Sequence, residues 1–288
     1  MHTATLMAQP GHLERITVEA LRGAWGGGDV QWLSTNEAAE FRLPTLPDNH
    51  WGVWEDLQKI QVDLVVQATA NRRKKLLLAD MDSTMIQQEC IDELADVAGV
   101  GDQVKDITIR SMSGELDFDG ALTERVALLK DLDATVIERV LASRITLTQG
   151  GRDLVATMKA QGAYCALVSG GFTAFATSVA AQLGFDEARA NTLQIKDGTL
   201  TGTVALPILG RAAKVDALDE LAQRLSIKPA DVIAVGDGAN DLGMLEHAGT
   251  GVALHAKPTV AAQCGVRINF CDLSAVLFVQ GYHRDVFA

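Results

Sequence analysis

Long apolar runs are missing: nothing in the 288 residues approaches the roughly 20 that a membrane-spanning helix needs. The opening segment, MHTATLMAQPGHLER, also lacks a basic stretch followed by an apolar one. A cytoplasmic protein is expected. Cysteine is scarce, with Cys90, Cys165, Cys264 and Cys271 scattered and no CxxC pair. A chain of this size needs no disulfide staple, so reduced, structural thiols are expected. The six histidines, His2, His12, His50, His247, His255 and His283, show no HExxH or comparable zinc spacing. Positive charge is in deficit, with 25 Lys and Arg against 37 Asp and Glu and a net charge of −12. That balance argues against a nucleic-acid or anionic-membrane surface, which is bound through clustered Lys and Arg. Any phosphate ligand must then be small, and its charge met by a metal, a few placed cations or helix N-termini.

What is present is a chain with 48% apolar residues, enough to bury a core. All four tryptophans, Trp25, Trp32, Trp51 and Trp54, fall in the first 70 residues, which mark a separate module. Its pattern predicts helix near 13–24, strands near 29–34 and 39–43, helix near 51–60 and strand near 62–67. The Gly26–Gly28 run reads as a loop, since no GK[ST] follows it.

A basic linker, residues 71–75, leads into LLLAD, an apolar run suited to a strand buried on both faces. Similar runs recur at 164–168, 232–235, 251–254 and 266–270, with helical segments before or between them. The expectation is an α/β fold: a Rossmann-like doubly wound parallel sheet over residues 71–288, beside a small α+β module at 1–70. Between about 88 and 150 the strands stop, and four short helices near 87–98, 101–112, 119–130 and 134–143 read as a helical insertion. The segment LQIKDGTLTGTV has the alternation and the Asp197-Gly198 turn of a hairpin.

The chemistry-bearing residues follow the strands. Asp80 and Asp82, in DMDST at the end of LLLA, stand where an open parallel sheet forms its ligand crevice. Two carboxylates so spaced can serve as nucleophile and general acid/base if a cation keeps the first ionised; alone, DxD also fits an exposed turn. Ser169 and Gly170, in SGG after the strand YCALV, offer a hydroxyl, backbone N–H groups and a helix start to an anion. Lys214 opens a helical segment and by itself reads as a solvated lysine. Asp237 and Asp241, around the glycine turn of GDGAND, are hard oxygen donors of the kind that suits Mg²⁺. A dinucleotide reading fails there, because the third glycine of GxGxxG is absent.

Taken in order, DxDST, SGG, Lys and GDxxND resemble the signature motifs of the haloacid dehalogenase superfamily over roughly residues 74–288. The resemblance implies that Asp80 is phosphorylated, that Asp82 protonates the leaving alcohol and then activates water, and that Ser169 and Lys214 hold the phosphoryl oxygens. It also implies that Mg²⁺ is bound by Asp80, Asp237 and the backbone carbonyl of Asp82, with Asp241 supporting through water. The insertion looks like the small cap of the phosphoserine phosphatases within that superfamily. By that likeness Glu89 meets a substrate ammonium, Arg125 a substrate carboxylate, Met112 and Phe118 exclude water, and Asn240 contacts the phosphate region. The implied reaction is hydrolysis of O-phospho-L-serine, the last step of serine biosynthesis; another small phosphate ester is the alternative substrate. The first module is expected to regulate or to form a homodimer.

Overall fold

The computed structural model describes residues 1–112 and 115–288, with the backbone alone for Met112. The N-terminal module runs β1 (His2–Met7), α1 (Arg15–Ala24), β2 (Gln31–Ser34), β3 (Ala38–Leu43), α2 (His50–Gln58) and β4 (Asp63–Ala68). Its sheet has the order β2-β3-β1-β4, a split βαβ arrangement. β1, which the sequence reading omits, is central: it pairs antiparallel with β3 and with β4. The reason for the omission is chemical. HTATLM has no apolar run, because Thr3 and Thr5 are buried among polar and apolar neighbours on the second face of the sheet.

The larger unit continues with β5 (Leu76–Ala79) and the four inserted helices α3 (Cys90–Ala98), α4 (Gly101–Met112), α5 (Phe118–Ala127) and α6 (Thr135–Ser143). These four helices lie between residues 90 and 143. Then follow α7 (Gly151–Ala160), β6 (Tyr164–Phe172), α8 (Thr173–Leu183), β7 (Glu187–Asn191) and the hairpin β8 (Leu193–Lys196) with β9 (Thr199–Val204). The chain ends with α9 (Arg211–Arg224), β10 (Val232–Gly236), α10 (Leu242–His247), β11 (Thr250–Leu254), α11 (Pro258–Ala261), β12 (Val266–Ile268) and α12 (Ala275–Val279).

Six of these strands form one sheet of order β12-β11-β10-β5-β6-β7, every pair parallel. β7 has no apolar run either: EARAN sits on the sheet edge, where polar side chains are tolerated. β5 and β10 are neighbours in register, Leu78 beside Ala234 and Ala79 beside Val235. The chain leaves them in opposite directions, so a crevice opens beyond their carboxyl ends. Leu76, Leu77, Leu78 and Ala79 are fully buried because helices cover both faces of the sheet. No helix among the described residues is long and apolar enough to cross a membrane.

The two units share one core. Met7, Leu33, Ala38 and Val65 from the module pack in the same apolar cluster as Val276 and Leu277 of α12. At the seam, buried Asp63 accepts the backbone N–H groups of Asn269 (2.9 Å), Phe270 (3.0 Å) and Cys271 (3.1 Å). Arg267 lies over the ring of Trp51, 3.9 Å from its centroid.

Candidate active site

Parallel neighbours put their C-terminal residues side by side, and here those residues are acidic. Asp80 follows β5 and Asp237 follows β10; Asp80, Asp237 and Asp241 each bring a carboxylate oxygen within 4.8 Å of the others. Lys214 reaches into this group from the first turn of α9. Its Nζ lies 2.6 Å from Asp80 Oδ1 and 2.6 Å from Asp241 Oδ1. Both contacts are ion pairs and the second also has hydrogen-bond geometry, so the two carboxylates share one ammonium. Lys214 is fully buried, and the reading of it as a solvated helix lysine does not hold.

Asp241 is fully occupied on both oxygens. Oδ1 takes the lysine, and Oδ2 accepts the N–H groups of Asp237 at 3.2 Å and Gly238 at 3.0 Å. It therefore organises the glycine turn more than it offers free lone pairs. Asp237 accepts from Thr84 Oγ1 at 3.2 Å, a contact that links the two strand ends and was not singled out in the sequence. Asp82 accepts the N–H of Cys90, at the start of α3, at 3.3 Å.

Burial dominates the proton affinities. The Asp80 carboxyl is raised well above its ordinary range, by burial first and then by Asp241, with Lys214 opposing. Asp82 is pushed up to about 7 by burial and then by Glu89. Asp237 is pushed up to about 6 by burial, Asp241 and Glu89. Burial alone would lower Lys214, but Asp241 and Asp80 outweigh it and its net shift is upward. One buried ammonium among this many carboxylates leaves excess negative charge. That excess and the hard oxygen donors gathered within 4.8 Å together fit a small divalent cation.

Asp80, Asp82 and Asp237 lie on the floor of a cavity of about 540 Å³, walled on the far side by the inserted helices, with Lys214 and Asp241 fully buried behind them. Glu89 and Arg125 both line it. Glu89 accepts from Ser83 Oγ at 2.7 Å, and Ser83 itself holds a left-handed backbone, φ 54°. Arg125 donates through Nε to the Ala121 carbonyl at 3.2 Å, and no ion pair involves it among the described residues. Ser169 is buried and accepts the N–H of Gly171 at 2.9 Å. Two glycines sit at close approaches to side chains of the site. A Cβ on Gly170 would come within 2.8 Å of the Phe118 ring, and one on Gly171 would collide with Asp82 Oδ2. Gly171 belongs to the SGG motif read from the sequence, but its contact with Asp82 does not show there, because nothing local reveals what lies across a crevice. Asn240 and Phe118 line the same cavity, while the side chain of Met112 lies outside the described residues. A second cavity, about 490 Å³, opens at the seam between the units and contains none of the three clustered aspartates.

Comparison with known proteins agrees with this geometry. Residues 77–246 match the family model described as haloacid dehalogenase-like hydrolase. A phosphoserine phosphatase of Archaeoglobus fulgidus is 46% identical over 227 residues, 77% of this chain and 66% of that protein. One of Streptomyces coelicolor is 44% identical over 226 residues, 78% of this chain and 55% of that protein. The chain thus spans about half to two thirds of the length of these curated relatives. Among solved structures, a HAD-family hydrolase of Salmonella enterica serovar Typhi superposes with a TM-score of 0.87 at 33% identity, covering 96% of this chain and 97% of that one. A phosphoserine phosphatase solved as a phospho-aspartyl intermediate analogue superposes at 0.67 with 42% identity, over 72% of this chain and 98% of that one.

Proposed function

The chain belongs to the haloacid dehalogenase-like hydrolases, and from that premise we propose that it hydrolyses O-phospho-L-serine to serine and phosphate, with Mg²⁺ and through an aspartyl-phosphate on Asp80. The observation that carries the reading is the pairing of two unlike groups in one cavity. Asp80, Asp82 and Asp237 lie on its floor with Lys214 buried against Asp80, and Glu89 and Arg125, opposite in charge, lie on its cap side. A free amino-acid phosphate needs both: a centre for phosphoryl transfer, and a carboxylate and a guanidinium for its ammonium and carboxylate. In support, one structural relative is a phosphoserine phosphatase in complex with its substrate, at 41% identity.

In this mechanism Asp80 attacks phosphorus and Lys214 steadies the phosphoryl oxygens beside it. Ser169 Oγ and the Gly170 N–H donate to the same oxygens, with Asn240 at their edge. Asp82, whose carboxyl is pushed up to about 7, still carries a proton near neutrality and gives it to the departing serine oxygen. Once ionised, Asp82 takes a proton from the water that cleaves the aspartyl-phosphate. Mg²⁺, held by Asp80, Asp237 and the Asp82 carbonyl with Asp241 behind, would supply positive charge that keeps Asp80 ionised and offsets the phosphoryl charge. Arg125 and Glu89 orient the amino-acid end, and Phe118, with Met112 as the second apolar contact, keeps water out.

The reading assigns the chain to the final step of serine biosynthesis in the cytoplasm, with the N-terminal module regulating it or joining two copies. The test is phosphate release from O-phospho-L-serine and from unrelated small phosphate esters, with Mg²⁺ and with chelator. Mg²⁺-dependent release strongly favouring phosphoserine is expected. Comparable kcat/KM on the unrelated esters would replace it with the broader reading, a phosphatase of another small ester.

A further inference from the structure

We propose that Arg211 is an additional ligand for the phosphoryl group, a guanidinium at the mouth of the cavity that binds the dianion above Lys214. The inference rests on the phosphate-ester reading but not on serine as the alcohol. It starts from a violation of helix electrostatics. The first turn of α9 holds two basic residues, Arg211 and Lys214, and no acid, although the N-terminal end of a helix disfavours cations. For Lys214 the reason is visible, since Asp80 and Asp241 both lie 2.6 Å away. Arg211 has no such compensation: among the described residues no ion pair or side-chain hydrogen bond involves it. A rule broken without local compensation is expected where a ligand supplies the missing partner.

Position agrees with that role. Residues three apart share a helix face, so Arg211 sits above Lys214, about 4.5 Å farther along the axis toward the opening. It is exposed, yet it lines the same cavity as Ser169, Gly170 and Asn240. Its stem passes over α10 at Gly243, where an added Cβ would lie 3.7 Å from Nε and 3.8 Å from Cγ. That route follows the Asp237–Asp241 turn, on the phosphoryl side. Arg125, in contrast, enters from α5 of the cap. A planar guanidinium offers two parallel donors to phosphate oxygens, which a lysine cannot match. The competing partner is Asp119 on the cap, whose Oδ1 would lie 3.3 Å from a Cβ on Gly210. A latch between Asp119 and Arg211 predicts different behaviour.

The experiment compares Arg211→Gln, Arg211→Lys and Asp119→Asn with the parent full chain. Substrates are O-phospho-L-serine and p-nitrophenyl phosphate in Mg²⁺, and inorganic phosphate serves as competitive inhibitor. For Arg211→Gln, KM on both esters and the phosphate Ki are each expected to rise about tenfold, the scale of one partly exposed charge-assisted bond. kcat should stay within about twofold, because Lys214 and Asp80 remain. Arg211→Lys should recover only part of the loss, and Asp119→Asn should leave phosphate Ki unchanged. Thermal unfolding of the ligand-free Gln variant should be no lower than the parent, since an unpaired cation has left the wrong end of a helix; a drop would mark a structural residue and overturn the proposal. Unchanged KM and Ki, a loss confined to phosphoserine, or the same loss in Asp119→Asn would overturn it as well. If phosphoserine is not a substrate, p-nitrophenyl phosphate and phosphate still decide the matter; if neither ester is hydrolysed, calorimetric titration with inorganic phosphate does, an equal affinity in parent and Gln variant counting against it.

Discussion

Single residues at this site carry opposed demands of charge and burial. Asp80→Asn keeps the volume and removes one of several crowded negative charges, so the fold should persist while turnover of any phosphate ester falls to background. Retained turnover in a steady-state assay would eliminate Asp80 as nucleophile. Lys214→Ala is different, because it leaves Asp80 and Asp241 buried without their cation. Breaking a buried pair in this way costs about 3–5 kcal/mol, so both stability in urea and activity should suffer. The raised carboxyls also fix a pH dependence. Asp80, Asp82 (about 7) and Asp237 (about 6) bind protons more tightly in the fold than in the unfolded chain, where an aspartate titrates near 3.8. Their stabilising contribution is fully present below that unfolded value and is lost as pH rises through the folded values. Metal-free protein should therefore lose Tm as pH rises from about 4 to about 7 on account of these groups. On the proposed function Mg²⁺ would bind the ionised carboxylates, so its stabilising effect should be larger at pH 8 than at pH 5. Calorimetry at both values, with and without Mg²⁺, tests this; an equal Mg²⁺ effect at the two would mean that the metal binds elsewhere.

At the scale of elements, the proposed function divides the labour: the parallel sheet would supply the chemistry and the inserted helices the selection. Glu89 begins α3 and Arg125 lies in α5, so both can be changed without touching β5 or β10. Arg125→Ala should cut kcat/KM for phosphoserine by a factor matching about 2–5 kcal/mol, the cost of stranding a buried charge. p-Nitrophenyl phosphate lacks the amino-acid groups and should change far less; equal losses on the two esters would mean that Arg125 supports cap closure. The end of β6 makes a complementary case. Gly171→Ala drives a methyl group against Asp82 Oδ2 and also within 3.1 Å of Ser169 Oγ. Asp82 must then move from its place beside the Cys90 N–H, and activity on both esters should fall while circular dichroism stays native.

The whole molecule joins its two units through a buried seam rather than a tether. Asp63 satisfies three backbone N–H groups of the segment after β12, Arg72 pairs with Glu40 at 2.6 Å, and module residues complete the core around α12. A chain starting near Arg72 would expose that apolar surface and is expected to aggregate. A soluble, monomeric and fully active truncation would contradict the shared core. Asp63→Ala leaves three donors at the seam without acceptors, each costing about 1–3 kcal/mol where water cannot replace it. It should lower urea stability by at least one such increment, and a single cooperative transition by fluorescence and by circular dichroism should persist in the parent.

The residues proposed to perform the chemistry were legible in the sequence because an open parallel sheet gathers the carboxyl ends of its strands on one side. Asp80, Ser169 and Asp237 each follow an apolar run, so their convergence depended only on the runs being parallel neighbours, a property of local hydrophobicity and connection length. The helical insertion was legible for a similar reason, since its periodicity departs from that of the strands around it. Contacts between distant segments were not. β1 and β7 lack apolar runs, Lys214 reads as solvated until Asp80 and Asp241 are brought to it, and the crowding at Gly171 arises only when Asp82 is brought opposite it. Asp63 looks like any strand-end acid in the chain, and only the approach of residues 269–271 turns it into the anchor between units. Pattern along the chain reports what each segment buries, whereas the identity of the partner across a crevice or seam is fixed when the sheet order and the packing of the units bring remote residues within a few ångströms.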